Sequence, residues 1–228
     1  WSRLVGSEMC IRDRYAYDGT PNLMPGSNIP MAALGAWILW LGWFGFNGGS
    51  ELKVSEVSSA TAVSQVFLNT NLAAAGGVLA AMFMSLAVTG KMDVTMAING
   101  AIAGLVSITA DPLSPSAGTA VIVGAIGGAI VYASIVFLEK AGIDDPVGAI
   151  SAHGTVGIWG VLVVSLTGGA SFGGQLIGVL MIAGFTYLAS LGTILLINKA
   201  MPIRASDAEQ EAGLDISEVG IEAYPEFK

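Results

Sequence analysis

Long apolar runs alternate with short polar joints along this chain. The runs occupy residues 31–49, 57–90, 94–110, 113–138 and 146–198. Neither 57–90 nor 146–198 contains an Asp, Glu, Lys or Arg. The last run is too long for one helix, and "TGGASFGG" at 167–174 is its natural break, giving six segments. A helix needs about 20 apolar residues to cross a bilayer core of about 30 Å. Five segments meet that length, and 94–110 is at the short limit. In lipid the backbone must satisfy its own hydrogen bonds, so helices are the expected form. The pattern predicts an all-α membrane protein with six transmembrane helices. A soluble core would need amphipathic helices with charged outer faces, and these segments have none.

Composition points the same way. The chain is 54% hydrophobic and 11% charged, against about 25% charged in soluble domains. Its 31 glycines suit helices that pack closely in a membrane. A single cysteine, Cys10, excludes a disulfide framework within the chain. The net charge of −8 comes largely from the end, where Asp207, Glu209, Glu211, Asp215, Glu218, Glu222 and Glu226 face one basic residue, Lys228. That stretch reads as a solvated tail, and no nucleic-acid partner is expected.

Basic residues orient the spans. Six spans put both chain ends on one side. With the ends cytoplasmic, the inside set is Arg3, Arg12, Arg14, Lys91, Lys140, Lys199, Arg204 and Lys228, and the outside set is Lys53 alone. The start, "WSRLVGSEMCIRDR", lacks a periodic apolar face and is too polar for a signal peptide. Residues 1–14 therefore read as non-native sequence or a fragment edge, and Cys10 receives no role. Residues 15–29 read as a cytoplasmic loop, 30–200 as the transmembrane domain, and 201–228 as a cytoplasmic tail.

Two stretches carry candidate chemistry. In "LGWFGFNGGSEL" (41–52), Trp43, Phe46, Asn47 and Ser50 fall at i, i+3, i+4 and i+7, the spacing of one helical face. The orientation places Ser50 at the outer mouth with Phe46 about 6 Å deeper. A hydroxyl, an aromatic face and a helix C-terminus together suit a small cation shedding water. The same spacing is also that of a packing stripe, and spacing alone favours packing. In "DDPVGAISAHG" (144–154), Asp145 is placed to cap a helix with Pro146 in its first turn. His153, the single histidine of the sequence, then lies about 10 Å up that helix. Gly148, Ser151, Gly154, Gly157 and Gly160 give it a small-residue surround that lets another helix approach. An ionisable group at that depth faces a cavity or the bundle interior. A neutral imidazole bonded to a neighbour fits equally well. No second His or Cys lies within the spans, so no metal site is expected. Asp144 and Asp145 read as loop and cap rather than a catalytic pair.

The motifs "GWFGFNGGS" (42–50), "NTNLAAAGG" (69–77), "DDPVGAISAHGTVGIWG" (144–160) and "GLDISEVGIEAYPEF" (213–227) resemble the ammonium transporter family, Amt/Mep/Rh, in order and spacing. The resemblance runs from about Tyr15 to the end. It implies the sixth to eleventh of eleven helices: the second inverted repeat plus the last helix. It assigns Ser50 to the outer ammonium-recruitment site and Phe46 to the gate beneath. It assigns Trp43 to the pore lining and His153 to the second of two pore histidines. Asp145 matches an acidic residue at a helix start and reads as structural. The implied activity is transport of ammonium or ammonia through an apolar pore, with a homotrimer, PII signal proteins at the cytoplasmic face, and a cell inner membrane as expected context. No bound cofactor is implied. The partner histidine and a recruiting-site tryptophan are expected in a first half that this chain lacks, so half a pore is expected. "ITADPLSPSAG" (108–118) carries extra residues relative to the family's Ile-Thr-Pro-Ala-x-Gly pattern. Two further readings remain: an ammonium sensor signalling through a partner, and a non-conducting remnant. An enzyme is disfavoured, since no nucleophile–base pair or metal set is visible.

Overall fold

Helices form where the apolar runs lie: α1 (Ile29–Gly49), α2 (Val57–Thr89), α3 (Val94–Thr109), α4 (Ala117–Lys140), α5 (Val156–Thr167) and α6 (Phe172–Ala200). The structure, a computed structural model, describes residues 26, 28–201, 203, 205–206, 208–209 and 215–221. The readings of residues 1–14, of Cys10, of most of 15–29 and of parts of the tail motif, Gly213 and Leu214 included, lie outside the described residues. Five apolar helices are long enough to cross a membrane: α1, α2, α4, the helix Ile150–Thr167, and α6. With 16 residues, α3 is shorter, roughly 24 Å at about 1.5 Å per residue.

Local chemistry sets the ends. Asn28 Oδ1 accepts the Met31 N–H at 2.9 Å, with Pro30 in the first turn of α1. Gly90 closes α2 in the left-handed conformation at φ 74°. Asp93 starts α3 by accepting from the Thr95 and Met96 amides at 2.7 and 3.3 Å and from the Thr95 hydroxyl at 2.6 Å. That hydroxyl contact, and then the two backbone amides, outweigh partial burial and hold the Asp93 carboxyl below its ordinary value.

The apolar pattern misplaces the start of α4. α4 begins at Ala117 rather than at 113. Residues 111–116 instead form an irregular loop, because Pro112 and Pro115 disfavour a helix here and their carbonyls are bonded elsewhere. Asn69, fully buried in α2, donates to both, at 3.0 and 2.8 Å, and accepts from Gln65 at 3.1 Å. Asp111 Oδ1 accepts the Ser114 amide at 3.1 Å within the same loop. The extra residues of "ITADPLSPSAG" are thus folded against α2.

The structure falls into two units. The larger holds residues 26–138 and 145–181. In it, α2, α3 and α4 meet through small residues. A methyl group built on Gly77 of α2 would strike the backbone of Gly100 and Gly104, and one on Gly104 would strike Ala73. In α4, the same test puts Gly124 against Ala73 and Gly128 against Gly77. Each helix presents a small residue, three others, then a second small residue, the spacing that lets backbones approach in lipid. α1 packs on α2 and α3, and α5 packs on α3. The other unit holds residues 139–144 and the chain from 182 onward. Its described part contains most of α6, which buries none of its side chains. It also contains a reciprocal contact at Ser206, whose N–H and hydroxyl both donate to Glu209 Oε2, at 2.7 and 2.6 Å.

Two outcomes check this packing in the full-length protein. Gly104→Ala is expected to lower stability by about 1–3 kcal/mol, since the added methyl meets backbone that cannot yield. Gly42→Ala, where a methyl would meet nothing, is expected to be neutral or slightly stabilising; thermal melting in detergent compares them. Asp93→Ala is expected to cost about 1 kcal/mol through loss of the α3 cap. Because the folded carboxyl titrates low, that contribution is fully present above the usual carboxylate range. It is lost as pH falls through the lowered value. Melting curves from pH 7 downward should show the wild type and variant converging.

Candidate functional site

The helix that carries His153 opens with a π-helical turn, Ile150–Thr155, before continuing as α5. Asp145 organises this start from outside it. Its Oδ1 accepts the Ile150 N–H at 2.9 Å, and its Oδ2 accepts the Ser151 N–H at 3.0 Å and the Ser151 hydroxyl at 2.9 Å. The helix therefore does not begin at Pro146. Residues 146–148 form a turn, completed by Gly148 at φ 74°, and the carboxylate reaches across it. A side chain at Gly148 would also collide with Asn99. His153 is accordingly the fourth residue of the π turn, and its depth along one helix from Pro146 is shorter than the sequence implied. At the far end of the turn, the Thr155 and Ser134 hydroxyls share a hydrogen bond of 3.0 Å to α4. Ser151 and Ala152 are buried, while His153 and Gly154 are exposed. Of Gly154, Gly157 and Gly160, Gly160 is the tight one, its would-be methyl meeting the Val106 and Ser107 carbonyls of α3. π turns are rare, and those that occur singly inside α-helices fall frequently at functional sites.

The exposed imidazole meets α1. Trp43 and His153 stack, with ring centroids 6.3 Å apart and planes inclined by 14°. Phe46 packs edge-on to Trp43 at 5.9 Å and 62°. Phe46 itself is 64% exposed, so three rings line one open face of the larger unit. One turn further along α1, the Ser50 hydroxyl donates to the Phe46 carbonyl at 2.9 Å. Its proton is engaged by the helix end, and its lone pairs are left to accept. The amides of Ser50, Glu51 and Leu52 bond back to Asn47, Gly48 and Gly49, so α1 ends in tight turns.

The four-residue face expected on α1 divides. Asn47 is 2% exposed and donates to Thr70 of α2 at 3.0 Å. Adjacent helical residues differ by about 100° in direction, and Asn47 lies on the edge of the stripe that meets α2. Trp43, Phe46 and Ser50 lie on the other side. Sequence reasoning singled out neither Thr109 nor Thr70. Thr109 accepts the Trp43 indole N–H at 2.8 Å across 66 positions of sequence, a pairing that no local pattern signals. Among the described residues, no group of three or more His, Cys, Asp or Glu comes together.

Apolar helices, the buried side chains of Asn47, Asn69 and Ser134 bonded within the bundle, and an open aromatic–imidazole face define a multi-span helical membrane protein. Known proteins narrow the class. The Ammonium Transporter Family profile matches residues 4–224. The chain is 39% identical over 235 residues to Ammonium transporter Amt2 of Archaeoglobus fulgidus, covering 94% of this chain and 49% of that protein. It is 37% identical over 220 residues to Ammonium transporter Amt2 of Methanocaldococcus jannaschii, covering 92% of this chain and 50% of that protein. A solved structure described as a sensor Amt protein superposes with a TM-score of 0.85 at 32% identity, over 95% of this chain and 55% of that one. The chain belongs to the ammonium transporter family, and it spans about half the length of these curated relatives.

Asp145→Asn tests the π turn. An amide retains one acceptor oxygen but sets its NH2 against an N–H and a hydroxyl. The change is expected to cost about 1–3 kcal/mol, read as a lower melting temperature of the full-length protein.

Proposed function

We propose that this chain forms one half of a membrane conduit for ammonium and ammonia, with Ser50, Phe46, Trp43 and His153 along its wall. The observation that carries this reading is the imidazole of His153, exposed on a lipid-sized helix and stacked on Trp43 with Phe46 beside it. Membership of a family whose members here are named transporters supports it. At the mouth, Ser50 offers lone pairs and Phe46 a ring face, and the C-terminal carbonyls of α1 add partial negative charge. These suit a small N–H-bearing cation. Below, a bare cation meets rings rather than acceptors, and burying an unpaired charge costs many kcal/mol. Ammonium can give up a proton and continue as a small neutral amine that hydrogen-bonds to imidazole. Potassium has no proton to give up and is rejected. In this reading residues 30–200 are the transmembrane part and 201–228 a cytoplasmic tail. The rest of the pore comes from further helices of the full-length protein, in a homotrimer of the cell inner membrane, open to PII-type partners on the cytoplasmic side.

A second reading, ammonium sensing through the same mouth, is favoured by one observation: the similar solved structure is described as a sensor Amt protein. One experiment separates the readings. The full-length protein in vesicles is given an ammonium gradient, and the luminal pH is followed. Transport predicts rapid flux, no potassium leak, and a loss of about a hundredfold or more in His153→Ala, the low end for removing a proton-handling group. Specific ammonium binding without flux in the wild type favours sensing. Wild-type flux and selectivity in His153→Ala would remove the imidazole from the mechanism.

A further inference from the structure

One polar contact at the ring cluster has no place in that account. Trp43 Nε1 donates to Thr109 Oγ1 at 2.8 Å, tying α1 to the last residue of α3. The same hydroxyl donates to the Leu105 carbonyl at 2.7 Å. A threonine hydroxyl has one proton. With that proton on Leu105, the backbone of α3 fixes the direction of the oxygen lone pairs, one of which receives the indole. An indole has one donor, its Nε1–H, and here it is engaged. The ring therefore offers the open face only π surface, held nearly parallel to His153 and edge-on to Phe46. Rotation about the indole's outer side-chain bond is intrinsically broad. Stacking alone does not choose between ring orientations, whereas a hydrogen bond at one ring atom does.

We infer that Thr109 is a positioning residue: its hydroxyl fixes the Trp43 indole so that the ring lies flat against His153 and turns no N–H donor toward the pore. This rests on the transport reading. Thr109 acts through Trp43: its proton is committed to Leu105 and one of its lone pairs to the indole. A freed indole would have two ways to slow passage. It could tilt off the imidazole, or it could present its N–H to ammonia and hold it.

The test uses the full-length transporter in vesicles, with ammonium-driven pH change measured against ammonium concentration. Thr109→Val keeps the side-chain shape and removes the acceptor. It is expected to lower the maximal rate by about three- to tenfold, the range one such hydrogen bond is worth, with the half-saturating concentration nearly unchanged because the mouth is intact. Thr109→Ser retains the hydroxyl and should recover most of the rate. In a Trp43→Phe background, which lacks the N–H, Thr109→Val should produce no further loss. Thr109→Ala carries the same comparison if the valine variant does not fold. Wild-type kinetics in Thr109→Val would overturn the inference. So would losses that multiply in the double variant, which mark a role independent of the indole. A change confined to the half-saturating concentration would assign Thr109 to the mouth and overturn it too. Wild-type protein that moves no ammonium would overturn the transport reading, and this inference with it.

Discussion

Three helix backbones touch at Ala73 and Gly77 of α2, Gly100 and Gly104 of α3, and Gly124 and Gly128 of α4. In lipid there is little hydrophobic gain from pressing one apolar helix on another, so association depends on close packing and on hydrogen bonds. Any side chain larger than hydrogen at Gly77, Gly104, Gly124 or Gly128 would push a neighbouring backbone away. The consequence reaches the candidate site through α3. Thr109 at its end meets Trp43, and Val106 and Ser107 near its end receive Gly160 of α5. A displaced α3 would shift both supports of the Trp43–His153 stack in one movement.

Buried polar groups then refine what packing sets. Asn47 to Thr70 joins α1 to α2, Asn69 holds the 111–116 loop, and Thr155 to Ser134 joins the π turn to α4. In a medium without water each of these groups needs a protein partner, and each pairing specifies one register between two helices. The π turn shows the two effects acting together. Asp145 gathers the Ile150 and Ser151 amides at its start, and Ser134 fixes its end. His153 lies between those two anchor points, so the backbone that carries its ring is held on both sides.

The helices were legible in the sequence because a bilayer demands long uninterrupted apolar runs, and Gly and Pro punctuate them. The break at 167–174 is one case, with α5 ending at Thr167 and α6 starting at Phe172. What was not legible depends on partners far away in sequence. The start of α4 shifted because Asn69 captures two proline carbonyls. Asn47 left the expected face because Thr70 waits on α2. The helix of His153 starts late because a carboxylate bonds five and six residues ahead rather than two or three. Thr109 went unremarked because its partner is 66 positions away. Trp43, Phe46 and Ser50 do share a face, and helical spacing is enough to place them there. That Trp43 stacks on His153 needed the packing of α3 first.

These placements share a directional logic. Along the ring face, hydrogen-bond donors are withdrawn into the protein one after another. The Ser50 proton goes to the Phe46 carbonyl, the Trp43 N–H to Thr109, and the Thr109 proton to Leu105. Trp159, on the same helix as His153, likewise donates inward, to the Val123 carbonyl. Among the described residues around the stack, the exposed His153 ring is engaged by Trp43 through stacking rather than through a hydrogen bond. Acceptors remain at the Ser50 end, aromatic surface follows, and an imidazole comes next. In the transport proposal, a species that carries N–H bonds is received at the first, passes the second only by becoming neutral, and bonds again at the third. A metal cation of similar size gains at the first step alone. In the proposed reading, selectivity follows from where these helices have directed their own protons.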